Sequence, residues 1–531
     1  MFNPDMQKRL SFHRAAAVLA LACVAMLAGC STGRDKVDAP RPNIIFILSD
    51  DMGWNEPSFN GGDRDITPNL GALADDGMKL TQFYVHSVCS PTRAALMTGR
   101  YSFRTWTDWR TEDFGKPDYL AMLGMEVATN SAGEKTRRVV GLDTEERTVA
   151  EALRDAGYTT AIMGKWHLGE WLDENLPMGQ GFDHQYGHYG WGIDYTNYTN
   201  PHNAPATFAV YDWHRDQQPI AEQGYTTDLI ANEVVRSIAE HRSKEDATGQ
   251  RQPFFYYVPF NAIHGPLESI PRYTDTLNKR MAALNCFDDA VGRIVGAIEQ
   301  YGYSRDTLVV FVNDNGGLTP DQNAPYRGTK NTTYEGGVRV PCVMRWPGHL
   351  VRGSSNDQMM FIADFYSTFI TLAGADPNQL RPVDGMDMTG VILNGRPSPR
   401  DEIIFDVAGC VRQPSIRKGD YKLVGQELYN VRDDPYENND IAKVRPDLVE
   451  LLSKRLAEAA AERPPLPRMD ILMSPALPWV YGERENASAP EWLKQHVLEV
   501  RKTQPKDWPN GTTPWPQAPK DGKIIYTGDG R

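Results

Sequence analysis

Four short runs of β-branched and aromatic residues restrict what this chain can fold into. Each is apolar throughout, and each ends in ionisable or amide side chains. Asn43–Ser49 (NIIFILS) leads into Asp50-Asp51, and 158–163 (YTTAIM) into Gly164-Lys165-Trp166-His167. The run 254–258 (FFYYV) passes through PFNAI to His264-Gly265-Pro266, and 307–312 (TLVVFV) ends in Asn313-Asp314-Asn315-Gly316-Gly317. An apolar run without alternation is expected of a strand buried on both faces. Helical patterns lie between these runs. In 144–157, Asp143 stands at a cap-like spacing from Glu146, Val149, Leu153 and Ala156 form the stripe, and Gly157 closes it. In 278–300, Leu284, Phe287, Val291, Ile294, Val295 and Ile298 share one side. Strands alternating with helices predict an α/β fold with a large, mostly parallel central sheet flanked by helices. Ligands in such folds gather outside the carboxyl ends of the strands, so the four polar tips are expected to meet in one cleft.

The texture divides the chain further. After the body at 42–398, EIIFDV, PSIRKGDYKLVG and ELYNV read as short strands, followed by a helix over 446–462. That suits a small antiparallel sheet with one packed helix at 399–465. The extension 466–531 is rich in proline and carries Trp479, Trp492, Trp508 and Trp515, which are expected to drape over the body. At the other end, Lys8, Arg9 and Arg14 precede an apolar run at 15–28 that is too short to span a bilayer. It closes in Leu27-Ala28-Gly29-Cys30, which resembles a bacterial lipobox. The expectation is a signal peptide at 1–29, lipidation of Cys30, a polar tether at 30–41, and an exported bacterial lipoprotein anchored to the membrane and facing the periplasm or the cell surface. The net charge of −13, with no basic stripe, argues against nucleic acid as a partner.

Asp50, Asp51, Asp314 and Asn315 place three carboxylates and an amide oxygen on two buried strand ends, an arrangement that requires a cation or protonation. All-oxygen donors favour calcium or magnesium over zinc, and calcium tolerates irregular oxygen cages better. Lys165 and His167, two apart, would face the same side of an extended tip. With Arg93, His264 and Lys330 they would form a cationic lining able to hold an oxyanion. One such charge at ~4 Å gives about 4 kcal/mol at an effective dielectric near 20.

Cys89 opens the stretch CSPTRAALMTGR, in which Pro91 suits the first turn of a helix. A helix N-terminus would lower a thiol pKa and attract an anion. Four readings compete: half of a disulfide, a thiol nucleophile with His167 or His264 as base, a metal ligand, and a site of modification. Besides Cys89 and the N-terminal Cys23 and Cys30, only Cys286, Cys342 and Cys410 are present. They make neither a disulfide scaffold nor a CxxC pair. A soft thiolate beside a hard cation is a poor match, which leaves modification open.

The stretch Cys89-Ser-Pro-Thr-Arg93-Ala-Ala-Leu-Met-Thr-Gly-Arg100 resembles the C-x-P-x-R signature of the formylglycine-dependent sulfatases, of the alkaline phosphatase superfamily. Residues 157–167 (GYTTAIMGKWH) resemble that family's second signature, and NIIFILSDD, Asp314-Asn315-Gly316 and KNTTYEGG at 330–337 complete the pattern over about 42–465. HSVCSPTRAALMTGR, EALRDAGYTTAIMGKWHLG and GFDHQYGH are most similar to the arylsulfatase B branch, which acts on sugars. The resemblance implies that a formylglycine-generating enzyme oxidises Cys89 to Cα-formylglycine. One hydroxyl of its hydrate, on the metal, attacks sulfur to give a covalent sulfo-enzyme, and the other then expels sulfate as the aldehyde reforms. It further implies that Asp50, Asp51, Asp314 and Asn315 hold one calcium ion beside modified Cys89. Arg93 and His167 would orient the diol, and Lys165 and Lys330 would neutralise sulfate oxygens. His264, with Lys330, would protonate the leaving oxygen. Substrates would be aryl sulfates in vitro and a sulfated carbohydrate in vivo. The competing functions are phosphate or phosphonate ester hydrolysis with the same modified residue, and non-catalytic binding of sulfated glycans. Asn313, where the family often has Ser or Thr, is expected to point away from the metal. The aromatic-rich 181–203 reads either as a sugar-stacking rim or as internal packing.

Overall fold

The computed structural model describes residues 41–503 apart from 106, 108–124, 130–134, 140, 171, 201–209, 271, 274, 379–380, 409–411, 465–470, 473–478 and 483–487. The expected signal peptide, lipidated Cys30, most of the tether, Cys410, Trp508 and Trp515 lie outside these residues.

The central sheet has ten strands: β1 (Asn43–Ser49), β2 (Met78–Leu80), β3 (Thr159–Lys165), β4 (His184–His188), β5 (His214–Arg215), β6 (Gln218–Pro219), β7 (Phe254–Pro259), β8 (Thr307–Asn313), β9 (Cys342–Arg345) and β10 (Ser354–Asn356). Their order is β6-β5-β4-β3-β7-β1-β8-β9-β2-β10. The five central strands, β4, β3, β7, β1 and β8, run parallel. The pairs β6-β5, β5-β4, β8-β9 and β9-β2 are antiparallel.

The four apolar runs are β1, β3, β7 and β8, and both of their faces are covered. Ile45, Ile47, Tyr256, Val258, Val309 and Phe311 pack on one side against Phe287, Val291 and Ile294 of a helix at Lys279–Gln300. On the other side Phe46 lies edge-on to Phe365 and Phe369, 5.2 and 6.0 Å away, on a helix at Asp364–Ala373. This two-sided burial explains the missing alternation. Truncating Phe46 to alanine would cost about 3–5 kcal/mol. The register pairs Ser49 with Asn313 and Leu48 with Pro259, which brings the three tips out level.

The helix expected from 144 begins later, at Val149, and ends at Asp155. Thr148, not Asp143, is its cap: the Thr148 hydroxyl accepts the Glu151 amide and the Glu151 carboxylate accepts the Thr148 amide. Asp143 and Glu146 instead meet Arg381. The reciprocal bonds of T-x-x-E outweigh the single turn that Asp143 offers.

The small sheet is a four-stranded antiparallel meander, Glu402–Asp406, Ser415–Lys418, Tyr421–Val424 and Glu427–Asn430, against which the helix Pro446–Ala461 buries Leu452, Leu456 and Ala459. A buried charge cluster ties it to the main body. Lys422 Nζ lies 2.8 Å from Glu335 and 3.0 Å from Glu437, and Glu335 also accepts the Tyr84 hydroxyl at 2.7 Å. The extension is less irregular than its prolines suggest. Glu491–Thr503 is a helix whose Leu493 and Val497 are buried, and Trp492 lies edge-on to Tyr211. None of the described helices is long and apolar enough to cross a membrane.

Candidate active site

Cys89 is the first residue of a helix, Cys89–Thr98, and is 4% exposed. Burial pushes its thiol pKa up despite the nearby charges of Lys165 and Lys330. The helix N-terminus therefore does not deliver the lowered thiol pKa expected from the sequence, because desolvation of a thiolate outweighs it. Cys286 and Cys342 are also buried free thiols, and the described residues contain no disulfide.

Around Cys89 the strand tips converge as expected. Arg93, one turn along the same helix, is fully buried and places Nη2 3.1 Å from Asp50 Oδ2 and 2.9 Å from Asp314 Oδ2, while its Nη1 donates to the Lys165 carbonyl at 3.0 Å. Lys165 Nζ is 2.6 Å from Asp50 Oδ2. Lys330 Nζ donates to Asp51 Oδ1, and Asn315 Nδ2 reaches the same oxygen at 2.9 Å. His264 Nε2 stands 3.9 Å from Asp51 Oδ2, and its Nδ1 donates to the Gly265 carbonyl at 2.6 Å. All ten residues singled out in the sequence thus surround one cleft, except that His167 reaches it differently. Its φ is +58, so the tip is not extended after Lys165. Strand alternation does not aim it; the turn does, bringing its Nε2 to 3.1 Å from Ser90 Oγ, next to Cys89.

The charges are unevenly balanced. Burial raises the Asp50 carboxyl, but Lys165, His264, Arg93 and Lys330 outweigh it and hold Asp50 far below the usual carboxylate range. Asp51 is lowered too, against its burial, chiefly by Lys330. Asp314 moves the other way, pushed up by burial and by the charge on Asp50. Burial lowers His264 and, much further, His167, so both favour the neutral imidazole.

Two buried oxygens, Asp50 Oδ1 and Asn315 Oδ1, accept no hydrogen bond. Orphaned acceptors of this kind beside Asp51 and Asp314 fit a hard divalent cation. Single atoms of Asp50, Asp51 and His264 also lie within 4.8 Å of one another. A hard cation prefers the oxygen set, which leaves His264 on the rim.

The supporting residues were not evident from the sequence. Asn313 does turn away from the cleft: it accepts from Ser49 Oγ at 2.7 Å and from the Met52 amide at 3.1 Å, clamping the tip of β1 to that of β8. Asp51 has φ +65, and its carbonyl accepts Arg280 Nη2 at 2.9 Å. Arg280 is fixed in turn by two 2.7 Å bonds to Glu56. The Asp50 amide and carbonyl bond to the Ala262 carbonyl and the Ile263 amide, so the loop bearing His264 moves with β1. Gly316 passes so close to the Gly336 carbonyl that a Cβ would lie 1.9 Å from it. A charged Asn-Asp-Asn-Gly tip gives a signal for the ligands but none for Arg280 or Glu56, which are far apart in sequence.

With this geometry in place, comparison with known proteins is informative. The sulfatase family profile matches residues 42–375, and that of the N-sulphoglucosamine sulphohydrolase C-terminal region matches 329–462. The chain is 33% identical to mouse N-acetylgalactosamine-6-sulfatase over 72% of each protein. It is 32% identical to human arylsulfatase A over 75% of this chain and 76% of that one. A crystal structure of Ps i-CgsB in complex with k-i-k-neocarrahexaose superposes with a TM-score of 0.65 at 26% identity, over 86% of this chain and 99% of the other. These relatives span several sulfatase branches and do not single out arylsulfatase B. A matched profile over most of the chain, carried by the residues that line the cleft, shows that the chain belongs to the sulfatase family, hydrolases of sulfuric esters.

Proposed function

We propose that this chain removes sulfate from a sulfated carbohydrate, using a formylglycine hydrate made from Cys89 by a formylglycine-generating enzyme. The observation that carries this reading is Cys89 itself, a buried residue unsuited to act as a thiolate yet set between a carboxylate cradle and two lysines. Sulfated glycans enter the reading through the relatives, one named for N-acetylgalactosamine 6-sulfate and one solved with a neocarrahexaose.

Asp50, Asp51, Asp314, Asn315 and modified Cys89 would hold one calcium ion, which supplies Lewis acidity to a diol oxygen. Arg93 and His167 orient the diol, Arg93 through the carboxylates it bridges and His167 from beside Ser90. Lys165 and Lys330 meet the sulfate oxygens and offset charge that grows in the transition state. The hydrate would supply the oxygen that attacks sulfur, and His264, assisted by Lys330, would give a proton to the departing alcohol oxygen as the ester S–O bond breaks. The second hydroxyl on the same carbon would supply the route by which sulfate is released and the aldehyde regenerated. The neutral imidazole favoured at His264 needs to gain its proton before each turnover.

Export and lipid anchoring belong to the same proposal, supported by the basic flank, apolar run and Leu-Ala-Gly-Cys30 of the N-terminus. A periplasmic or surface placement would suit a polymeric glycan substrate. The test is peptide mass spectrometry of the Cys89 peptide from the native host, with matched 4-nitrophenyl sulfate and phosphate assays. Formylglycine and a preference for sulfate are expected. An unmodified thiol in every molecule, or higher kcat/KM on phosphate, would overturn the reading.

A further inference from the structure

The aromatic-rich stretch that follows β3 resolves into two kinds of ring. Phe182, Tyr186, Tyr189, Tyr195 and Tyr198 are each at most 2% exposed and serve internal packing. Among the described phenylalanine, tyrosine and tryptophan residues of that stretch, Trp191 alone is half-buried. It stands between Gly190 and Gly192 just after β4, with its ring edge-to-face to His264, the centroids 5.7 Å apart at 77°.

This loop is held from both sides. The Tyr189 and Gly190 amides donate to Asp212 at 2.8 and 2.7 Å, and the Tyr195 hydroxyl donates to the His264 carbonyl at 2.8 Å. Indole and imidazole are therefore fixed relative to each other before any substrate arrives, so little ordering is required when a ligand docks. His264 is itself tied to the Asp50 backbone, so Trp191 is positioned against the reacting centre.

An inference follows that rests on the proposed role of His264. If His264 protonates the leaving oxygen, the alcohol fragment departs on its side of the cleft. A ring 5.7 Å from the imidazole centroid is then in reach of the first carbons beyond that oxygen. An indole presents a broad apolar face with a polar edge, which matches a pyranose whose C–H groups line one face and whose hydroxyls line its rim. We propose that Trp191 is a specificity-determining residue that packs against the sugar ring carrying the sulfate, which makes pyranose sulfates the substrate class.

The test uses the full, modified chain with N-acetylgalactosamine 6-sulfate and 4-sulfate as sugar probes, 4-nitrophenyl sulfate as a control for the sulfatase reading, and inorganic sulfate as an inhibitor. Trp191→Ala is expected to raise KM for the sugar sulfate that wild type accepts by roughly 10- to 100-fold, with kcat held within about threefold. Trp191→Phe is expected to recover most of that loss. The inhibition constant of inorganic sulfate, which probes only the anion pocket, should stay within about twofold in both variants. The proposal is overturned if KM is unmoved in Trp191→Ala. It is overturned equally if kcat and the sulfate inhibition constant shift together, since Trp191 would then act only by buttressing His264. Wild type that hydrolyses 4-nitrophenyl sulfate but neither sugar leaves the sulfatase reading standing and removes this one; failure on all three esters removes both.

Discussion

Replacing Lys422 by methionine tests the buried cluster that ties the small sheet to the main body. Lys422, Glu335 and Glu437 are wholly enclosed, and the single ammonium serves both carboxylates. Its contact with Glu335 is a hydrogen bond, whereas that with Glu437 is an ion pair without hydrogen-bond alignment. Burial lifts Glu437 to about 7 although Lys422 opposes the shift, while Lys422, Arg339 and Arg417 overcome burial and hold Glu335 low. Breaking a buried pair costs about 3–5 kcal/mol. Arg339 remains beside Glu335 at 3.3 Å, so the lower end, about 3 kcal/mol, is expected at pH 6.

The pH dependence has a definite sign. A carboxyl whose folded pKa is raised from 4.5 to about 7 holds a proton that the unfolded chain has lost, so wild-type stability falls across that window and levels off above it. Without Lys422 the proton stays on Glu437 above pH 7, and the fall continues at about 1.4 kcal/mol per pH unit. The deficit of Lys422→Met should therefore grow from about 3 kcal/mol at pH 6 to a little over 4 at pH 8. Urea unfolding of both proteins at pH 6, 7 and 8, followed by tryptophan fluorescence, measures it. A deficit below about 1 kcal/mol that does not change with pH would refute this account. Because Glu335 lies five residues after Lys330 and its amide donates to Glu437 at 2.7 Å, kcat should fall as well.

Further outcomes follow from the cleft. Cys89→Ala should abolish turnover while circular dichroism and melting stay near wild type; turnover close to wild type would exclude Cys89 as nucleophile precursor. Asn313→Leu removes the clamp behind the cation cradle and should weaken calcium binding by about 10- to 100-fold by titration calorimetry, whereas unchanged affinity would make the clamp irrelevant. His264→Ala should reduce kcat by about 10²–10⁴-fold on alkyl sulfates and far less on 4-nitrophenyl sulfate, whose leaving group needs no proton; equal losses would argue against a proton donor. Arg280→Leu frees the Asp51 carbonyl and leaves Glu56 with only the Gly53 amide, for a loss of about 1–3 kcal/mol and a raised calcium requirement. Wild-type calcium dependence in that variant would show that Asp51 holds its own geometry.

What could be read from the sequence is what repeats locally. Two-sided burial writes β1 and β8 as unbroken apolar runs, and the polar tips that follow them announce the cleft. Thr148-Val-Ala-Glu151 and Asp143-Thr-Glu-Glu146 both carry the spacing of a capping box, and sequence alone does not rank the two. The pairing of Lys422 with Glu335, 87 positions away, left no local trace, since long-range ion pairs have no period. The half-exposure of Trp191 leaves no trace in the sequence for a related reason: a stretch in which about every fourth residue is phenylalanine, tyrosine or tryptophan gives no pattern by which one ring stands apart. His167 shows a different limit, because a positive φ at a non-glycine residue breaks the strand alternation that would place it beside Lys165.

The left-handed backbone of Asp51 has one more consequence. Glycine, asparagine and aspartate adopt that conformation at the smallest cost, so shape favours these three at this position, and under the proposed metal role charge then selects aspartate. A descendant of this chain released from the demand for turnover could trade Asp51 for asparagine or glycine and still fold. Under the proposed role of Asp51, such a chain would keep its fold while losing one oxygen of the cation site.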